Sequence, residues 1–218
     1  VCSSDLDDPV TAHDFEYAWK KMIDPKNGFV YSFLIVETIQ NGAEISAGKL
    51  APNELGVTAV DDYTLKVTLK EPKPYFTSLL AFPTFFPQNQ KVVEQFGADY
   101  GTASDKVVYN GPFVVKDWQQ TKMDWQLAKN NRYWDHQNVR SDIINYTVIK
   151  ETSTALNLFE DGQLDVATLS GELAQQNKNN TLYHSYLTAT MNYLRLNQKR
   201  KGQATPLANE NLRKALAL

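Results

Sequence analysis

Residues equipped for covalent or metal chemistry are few in this sequence and stand far apart. The single cysteine, Cys2, has no partner for an internal disulfide or a paired-cysteine zinc site. The three histidines, His13, His136 and His184, are scattered and read as surface residues. No Gly-x-Ser-x-Gly elbow accompanies them, so a serine hydrolase lacks its nucleophile. His-Glu-x-x-His, the phosphate-cradling Gly-x-x-x-x-Gly-Lys and Gly-x-Gly-x-x-Gly are all missing, which disfavours zinc- and nucleotide-dependent enzymes. Paired carboxylates remain, because their separation is set in three dimensions, but Asp61-Asp62 and Glu160-Asp161 read first as a turn and a solvated helix end. Asn145-Tyr146-Thr147 and Asn179-Asn180-Thr181 match the glycosylation pattern in a sequence rich enough in Asn to produce it by chance.

What the sequence offers in quantity is aromatic surface. Its 218 residues include 10 Phe, 11 Tyr and 4 Trp, 11% of the chain. Many fall in irregular segments, where rigid rings suit a surface that wraps an extended ligand at little entropic cost. Trp19, Trp118, Trp125 and Trp134 sit at periodic or strand-end positions and read as core packing. The net charge of −3 disfavours neutralising a run of phosphates, so no nucleic-acid partner is expected. Apolar runs such as 79–82 are far shorter than the roughly 20 residues of a membrane-spanning helix.

The elements that must position these residues follow from periodicity. Thr11, with Asp14 in the capping-box position, opens a helix over 12–23 that carries Phe15, Ala18, Trp19 and Met22 on one face and stops at Asp24-Pro25. A second helix is predicted over 37–47, closed by Gly48. Thr64–Leu69 alternates as a half-buried strand, and Pro72, Pro74, Pro83 and Pro87 confine 75–86 to short helical turns. Residues 111–118 and 123–129 form a hairpin, followed by a strand over 143–149. Thr152 or Ser153 caps a helix ending at Gly162, and 164–167 reads as a further strand, so that strand, helix and strand imply a right-handed crossover and a parallel pair. Asn209 caps an amphipathic helix that runs to Leu218, a short apolar start that suggests a fragment of a longer protein. The class is mixed α/β.

The first residues carry no export signal. Cys2-Ser3-Ser4 lacks the small apolar residues that precede a lipid-attachment cysteine, and residues 1–8 are expected to be an unmatched stub.

Six motifs then occur in a fixed order. Thr11–Trp19 resembles the TA-x-DF-x-Y-(S/A)-W stretch of the oligopeptide-binding, extracytoplasmic solute-binding proteins (family 5) that serve peptide ABC importers. Asp61–Leu69 with Pro72–Phe76 is similar to that family's DD-x-T-x-x-(V/I)-x-L strand and P-x-PYF turn. Asn110–Phe113, Asn130–Asp135 and Phe159–Asp165 resemble its NG-(A/P)-(Y/F), N-x-x-YWD and F-x-x-G-x-(L/I)-D segments. Tyr193–Asn197 with Pro206–Leu216 resembles Y-x-x-x-N followed by P-x-x-(N/D)-x-x-(V/L)R-x-AL.

The resemblance implies a periplasmic-binding-protein type II-like α/β fold of the oligopeptide-binding cluster, in part: first-lobe segments over 9–190, then a crossover strand and the start of a second lobe over 191–218. It implies a two-lobed clamp that holds a peptide by its main chain, without catalysis or cofactor, and half a clamp should bind poorly. The implied partners are an oligopeptide and ABC permease subunits. The implied site is extracytoplasmic, with a membrane link only through a lipid anchor that this stretch does not carry. Carried over residue by residue, Tyr31 falls near the family's first-lobe ligand tyrosine. Thr168, Leu169, Ser170 and Gly171 match the segment lining the peptide groove, with Thr168 where the family has tyrosine. Asn192, Tyr193, Arg195 and Asn197 lie on the crossover strand, where Arg195 suits a ligand carboxylate. The basic cluster Lys199-Arg200-Lys201 with Gly202 reads as a solvated loop, or as a contact for an importer. Two other classes remain as alternatives: a hydrolytic enzyme using paired surface carboxylates, and a chaperone-like or adhesive surface protein.

Overall fold

In the computed structural model, residues 8–188 and 193–216 are described. The chain forms two compact units, one ending at Val148 and the other beginning at Ile149.

The first unit is organised by helix α1 (Ala12–Ile23). Its start is closed by Asp14, whose carboxylate accepts hydrogen bonds from the Thr11 main-chain N–H at 2.7 Å and from the Thr11 hydroxyl at 3.1 Å. Asp thus serves in a box that usually holds Glu or Gln. One face of α1 buries Ala18, Trp19 and Ile23 against Ile35, Ile39, Leu55, Val57 and Phe85. The Trp19 ring meets Phe85 edge-on, with centroids 5.3 Å apart, and its indole N–H donates to the Phe85 carbonyl at 3.0 Å. At the edge of that face, Glu16 accepts from the Ala59 N–H at 2.7 Å and pairs with Lys20, tying the helix to strand β1 (Val57–Asp61). Burial pushes the Glu16 carboxyl up, but Lys20 and the Ala59 N–H outweigh it and leave the group below its ordinary value.

Of the helix expected over 37–47 only α3 (Gly42–Ser46) forms; a separate short helix, α2 (Phe33–Val36), ends just before it and 37–41 is a turn. Asn41 adopts a left-handed φ of 68°, and a Cβ on the buried Gly42 would lie 2.9 Å from the Ile35 carbonyl oxygen. The intervening Ile39 bridges Leu69 instead. Strand β1, which the sequence reading did not assign, pairs antiparallel with β2 (Thr64–Val67) in the register Val57 to Val67. The proline-bracketed stretch folds into α4 (Phe76–Leu79) and a 3-10 turn (Pro83–Phe85), as expected. Helix α5 (Gln90–Phe96) follows, capped by the Asn89 side chain. Lys21 of α1 lies over the rings of Tyr17 and Tyr100, 5.9 and 5.6 Å from their centroids.

Strands β3 (Phe113–Lys116), β4 (Asp124–Lys129) and β5 (Ile143–Thr147) form an antiparallel sheet in that order. Its β3–β4 hairpin is pinned by the buried Asn130, which donates to the Gly111 carbonyl from its side chain and to the Pro112 carbonyl from its main chain, both at 2.9 Å. Trp125 stacks on Tyr146 across the sheet at 5.5 Å. Trp19 is buried and Trp118 and Trp125 are half-buried. Trp134 is 69% exposed, contrary to the core reading, because it lies in a turn beside Tyr133 with no layer above it.

The second unit contains α6 (Thr152–Glu160) and α7 (Gly171–Asn177), a two-rung hairpin of β6 (Lys199–Arg200) and β7 (Gln203–Ala204), and α8 (Glu210–Leu216). The capping residue of α6 is Glu151, not Thr152 or Ser153, and no side chain bonds to that end. Residues 164–167 form no strand, so the expected crossover and parallel pair are absent; among the described residues every pairing between strands is antiparallel. The basic cluster is not a plain loop: Lys199 and Arg200 form β6, and Lys201 and Gly202 make the turn with φ of 50° and 81°. Asn209 caps α8 as expected, its side-chain oxygen accepting from the N–H groups of Asn211 and Leu212.

Candidate ligand-binding site

The site residues expected from sequence fall in both units. Tyr31 is in the first, in a 3-10 turn (Val30–Ser32), half exposed, with its ring 5.1 Å from Phe82 and 6.1 Å from Phe33. Around it Phe29, Val30, Phe33 and Phe82 are also exposed, an apolar surface that the sequence reading registered only as aromatic density. Phe82 lies in the proline-bracketed turns and Phe29–Phe33 in a 3-10 turn and the start of α2, segments too short to cover both sides of each ring.

Thr168, Leu169, Ser170 and Gly171 lie together in the second unit. From Val166 to Leu169 the chain is neither helix nor paired strand, with exposed Val166 and Thr168 alternating with half-buried Ala167 and Leu169. Among the described residues, no hydrogen bond uses the main-chain N–H or C=O groups of 165–169. Ser170 then occupies the N-cap position of α7 and Gly171 opens it at φ 57°, a left-handed value that favours glycine. Thr168 and Leu169 line a cavity of about 680 Å³ with Leu156 and Phe159 of α6 and, opposite, Leu182, Tyr183, His184 and Tyr186. The 182–186 wall carried no motif, and the sequence reading missed it.

Of the crossover set, Asn192 lies outside the described residues. Tyr193 is 78% exposed and Leu194 more so. Arg195 and Asn197 share a shallow concavity with Leu196 and Gln198, and the Asn197 carbonyl accepts from the Thr205 hydroxyl at 2.6 Å, which holds the base of the β6–β7 hairpin. The guanidinium of Arg195 is exposed, so it is open to a planar carboxylate.

Chemically, residues 165–169 offer amide donors and carbonyl acceptors, unengaged among the described residues, beside a roomy mixed cavity, and Arg195 offers a cation in a separate concavity. Among the described residues no three His, Cys, Asp or Glu side chains are grouped to hold a metal, and no helix is long and apolar enough to cross a membrane. The acidic pair Asp61-Asp62 belongs to a turn, where the Asp61 carboxylate accepts from the Tyr63 N–H at 2.9 Å.

The family model described as bacterial extracellular solute-binding proteins, family 5 Middle, matches residues 6–218. A dipeptide-binding protein of Lactococcus lactis subsp. cremoris is 38% identical over 220 residues, covering 97% of this chain and 40% of the relative. The oligopeptide-binding protein OppA of Bacillus subtilis is 37% identical over 214 residues, covering 96% of this chain and 38% of the relative. Among solved structures, Listeria monocytogenes OppA bound to peptide superposes with a TM-score of 0.94 at 46% identity, over 100% of this chain and 42% of that one. The pheromone receptor PrgZ superposes with a TM-score of 0.91 at 38% identity, over 99% and 42%. The chain thus spans about two fifths of the length of these relatives.

Proposed function

The chain belongs to the family 5 bacterial extracellular solute-binding proteins, and from that membership we propose that it is part of a protein that captures oligopeptides outside the cytoplasm and delivers them to an ABC importer. The observation that carries this reading is segment 165–169, whose main-chain groups make no hydrogen bond among the described residues, set against the cavity lined by Leu156, Phe159 and Tyr183. A peptide laid along that segment gains main-chain hydrogen bonds whatever its sequence, while the cavity takes a side chain. Broad specificity follows, because the amides are common to all peptides.

In this reading Thr168, Leu169, Ser170 and Gly171 hold the ligand's main chain, Asn192, Tyr193 and Asn197 contact it from the crossover strand, Arg195 pairs with its carboxylate, and Tyr31 contributes an aromatic face. Residues 9–190 serve as first-lobe segments and 191–218 as the crossover and the start of a second lobe. The full-length protein is held at the membrane by a lipid anchor, meets the importer's permease subunits, and releases its peptide unaltered. Family relatives named for dipeptide and oligopeptide binding support the substrate class.

Calorimetric titration of the full-length protein with a short peptide and its N-methylated counterpart tests the reading. Each methyl removes a main-chain donor worth about 1 kcal/mol, so affinity should fall about fivefold per engaged amide. Equal affinity for both peptides, or recovery of cleaved peptide after incubation, refutes it.

A further inference from the structure

The sequence holds three Asn-Gly steps, at 27–28, 41–42 and 110–111, and the structure gives them very different environments. At Asn41-Gly42 both reacting groups are engaged: the Asn41 amide donates to the Glu54 carbonyl at 2.6 Å, and the buried Gly42 N–H donates to the Ile39 carbonyl at 3.1 Å. At Asn27-Gly28 the Gly28 N–H is unengaged among the described residues, but the Asn27 amide is held on the Lys21 carbonyl at 2.8 Å. At Asn110-Gly111 neither is held: among the described residues the exposed Asn110 side chain makes no hydrogen bond, the Gly111 N–H makes none, and open space surrounds the Gly111 α-carbon where a Cβ would stand.

We propose that Asn110 is a site of spontaneous deamidation. The deprotonated Gly111 nitrogen attacks Asn110 Cγ, an N–Cγ bond forms, the Cγ–Nδ2 bond breaks and ammonia leaves, carrying a proton from water. Water then opens the cyclic imide to aspartate or isoaspartate, so the net exchange is water in and ammonia out, with no change of oxidation state. The product carboxyl joins Asp8 and Asp14 around a small cavity of about 40 Å³ that Asn110 already lines. The isoaspartyl form also lengthens the main chain by one carbon just ahead of β3, on the stretch that Asn130 grips at the Gly111 and Pro112 carbonyls. Ageing at this bond therefore adds like charge and loosens the β3–β4 hairpin together.

The test is peptide-resolved mass spectrometry of the 218-residue chain during incubation at mildly alkaline pH, beside the same chain in strong denaturant and the variant Gly111→Ala. The open space at Gly111 accommodates that Ala. In the folded chain the gain of about 1 Da, from exchange of NH2 for OH, should accrue first at Asn110 and about tenfold or more slowly at Asn41, whose groups react only after local opening. In denaturant the three sites should react alike, and Gly111→Ala should suppress the gain at Asn110 while leaving Asn27 unchanged. Asn41 keeping pace with Asn110 in native buffer, or Asn110 gaining mass only in denaturant, overturns the proposal.

Discussion

Replacing Trp19 by Phe isolates the centre of the first unit's core. Trp19 is 2% exposed, and its indole N–H is the donor to the Phe85 carbonyl. Losing that donor leaves a buried carbonyl unpaired, at a cost of about 1–3 kcal/mol. The smaller ring also forfeits the burial of roughly two carbons, about 1.5 kcal/mol, before any cavity penalty. The edge-on contact with Phe85 survives in part, since the replacement is aromatic. Together these give a loss of about 2.5–4.5 kcal/mol. The matched control is Trp134→Phe, where 69% exposure holds the expected change within about 0.5 kcal/mol. All four tryptophans lie before Ile149, so intrinsic fluorescence during urea denaturation reports on the first unit alone. With a slope of about 2 kcal/mol per molar urea, Trp19→Phe should lower the midpoint by about 1–2 M. Equal midpoint shifts for the two variants would refute the assignment of Trp19 as a core anchor and Trp134 as a surface ring.

Acid should weaken the tie between α1 and β1. The Glu16 carboxyl sits below the ordinary value of 4.5, so its contribution is complete above that pH and is lost as pH falls through the lower folded value; Glu16→Gln should flatten the fall in urea midpoint within that window. Gly56→Ala would put a Cβ 2.9 Å from both the Thr68 carbonyl oxygen and the Gln40 Cβ, and should cost about 1–3 kcal/mol by thermal unfolding. In the full-length protein, Arg195→Gln should weaken a peptide with a free C-terminal carboxylate by about tenfold and leave its amidated form nearly unchanged in calorimetry. Loss of affinity for both forms would place Arg195 away from the carboxylate.

Where local signals agreed with one another, the sequence was legible. Thr11, Asp14 and the spacing of Ala18 and Trp19 specify α1, which runs over the expected residues. Asn209 likewise marks the start of α8. The failures came where tertiary partners decide. Residues 164–167 read as a short strand but have no neighbour to pair with among the described residues, and a strand is defined by its neighbour. Over 37–47 only Gly42–Ser46 is helical, because Asn41 turns left-handed and Gly42 packs close to the Ile35 carbonyl, a contact the local pattern does not carry. Of the site, the segment 168–171 was legible only through family motifs. Its companion wall at 182–186 was not, since scattered aromatics there carry no period.

The main-chain groups of residues 165–169, unpaired among the described residues, have a cost for anyone handling the molecule. An unpaired edge does not distinguish a guest from a sibling, so two copies meeting side by side can zip together through the same groups. The average mass obtained from light scattering should therefore rise with protein concentration and fall when an added peptide caps the edge, and a mass independent of concentration would refute this.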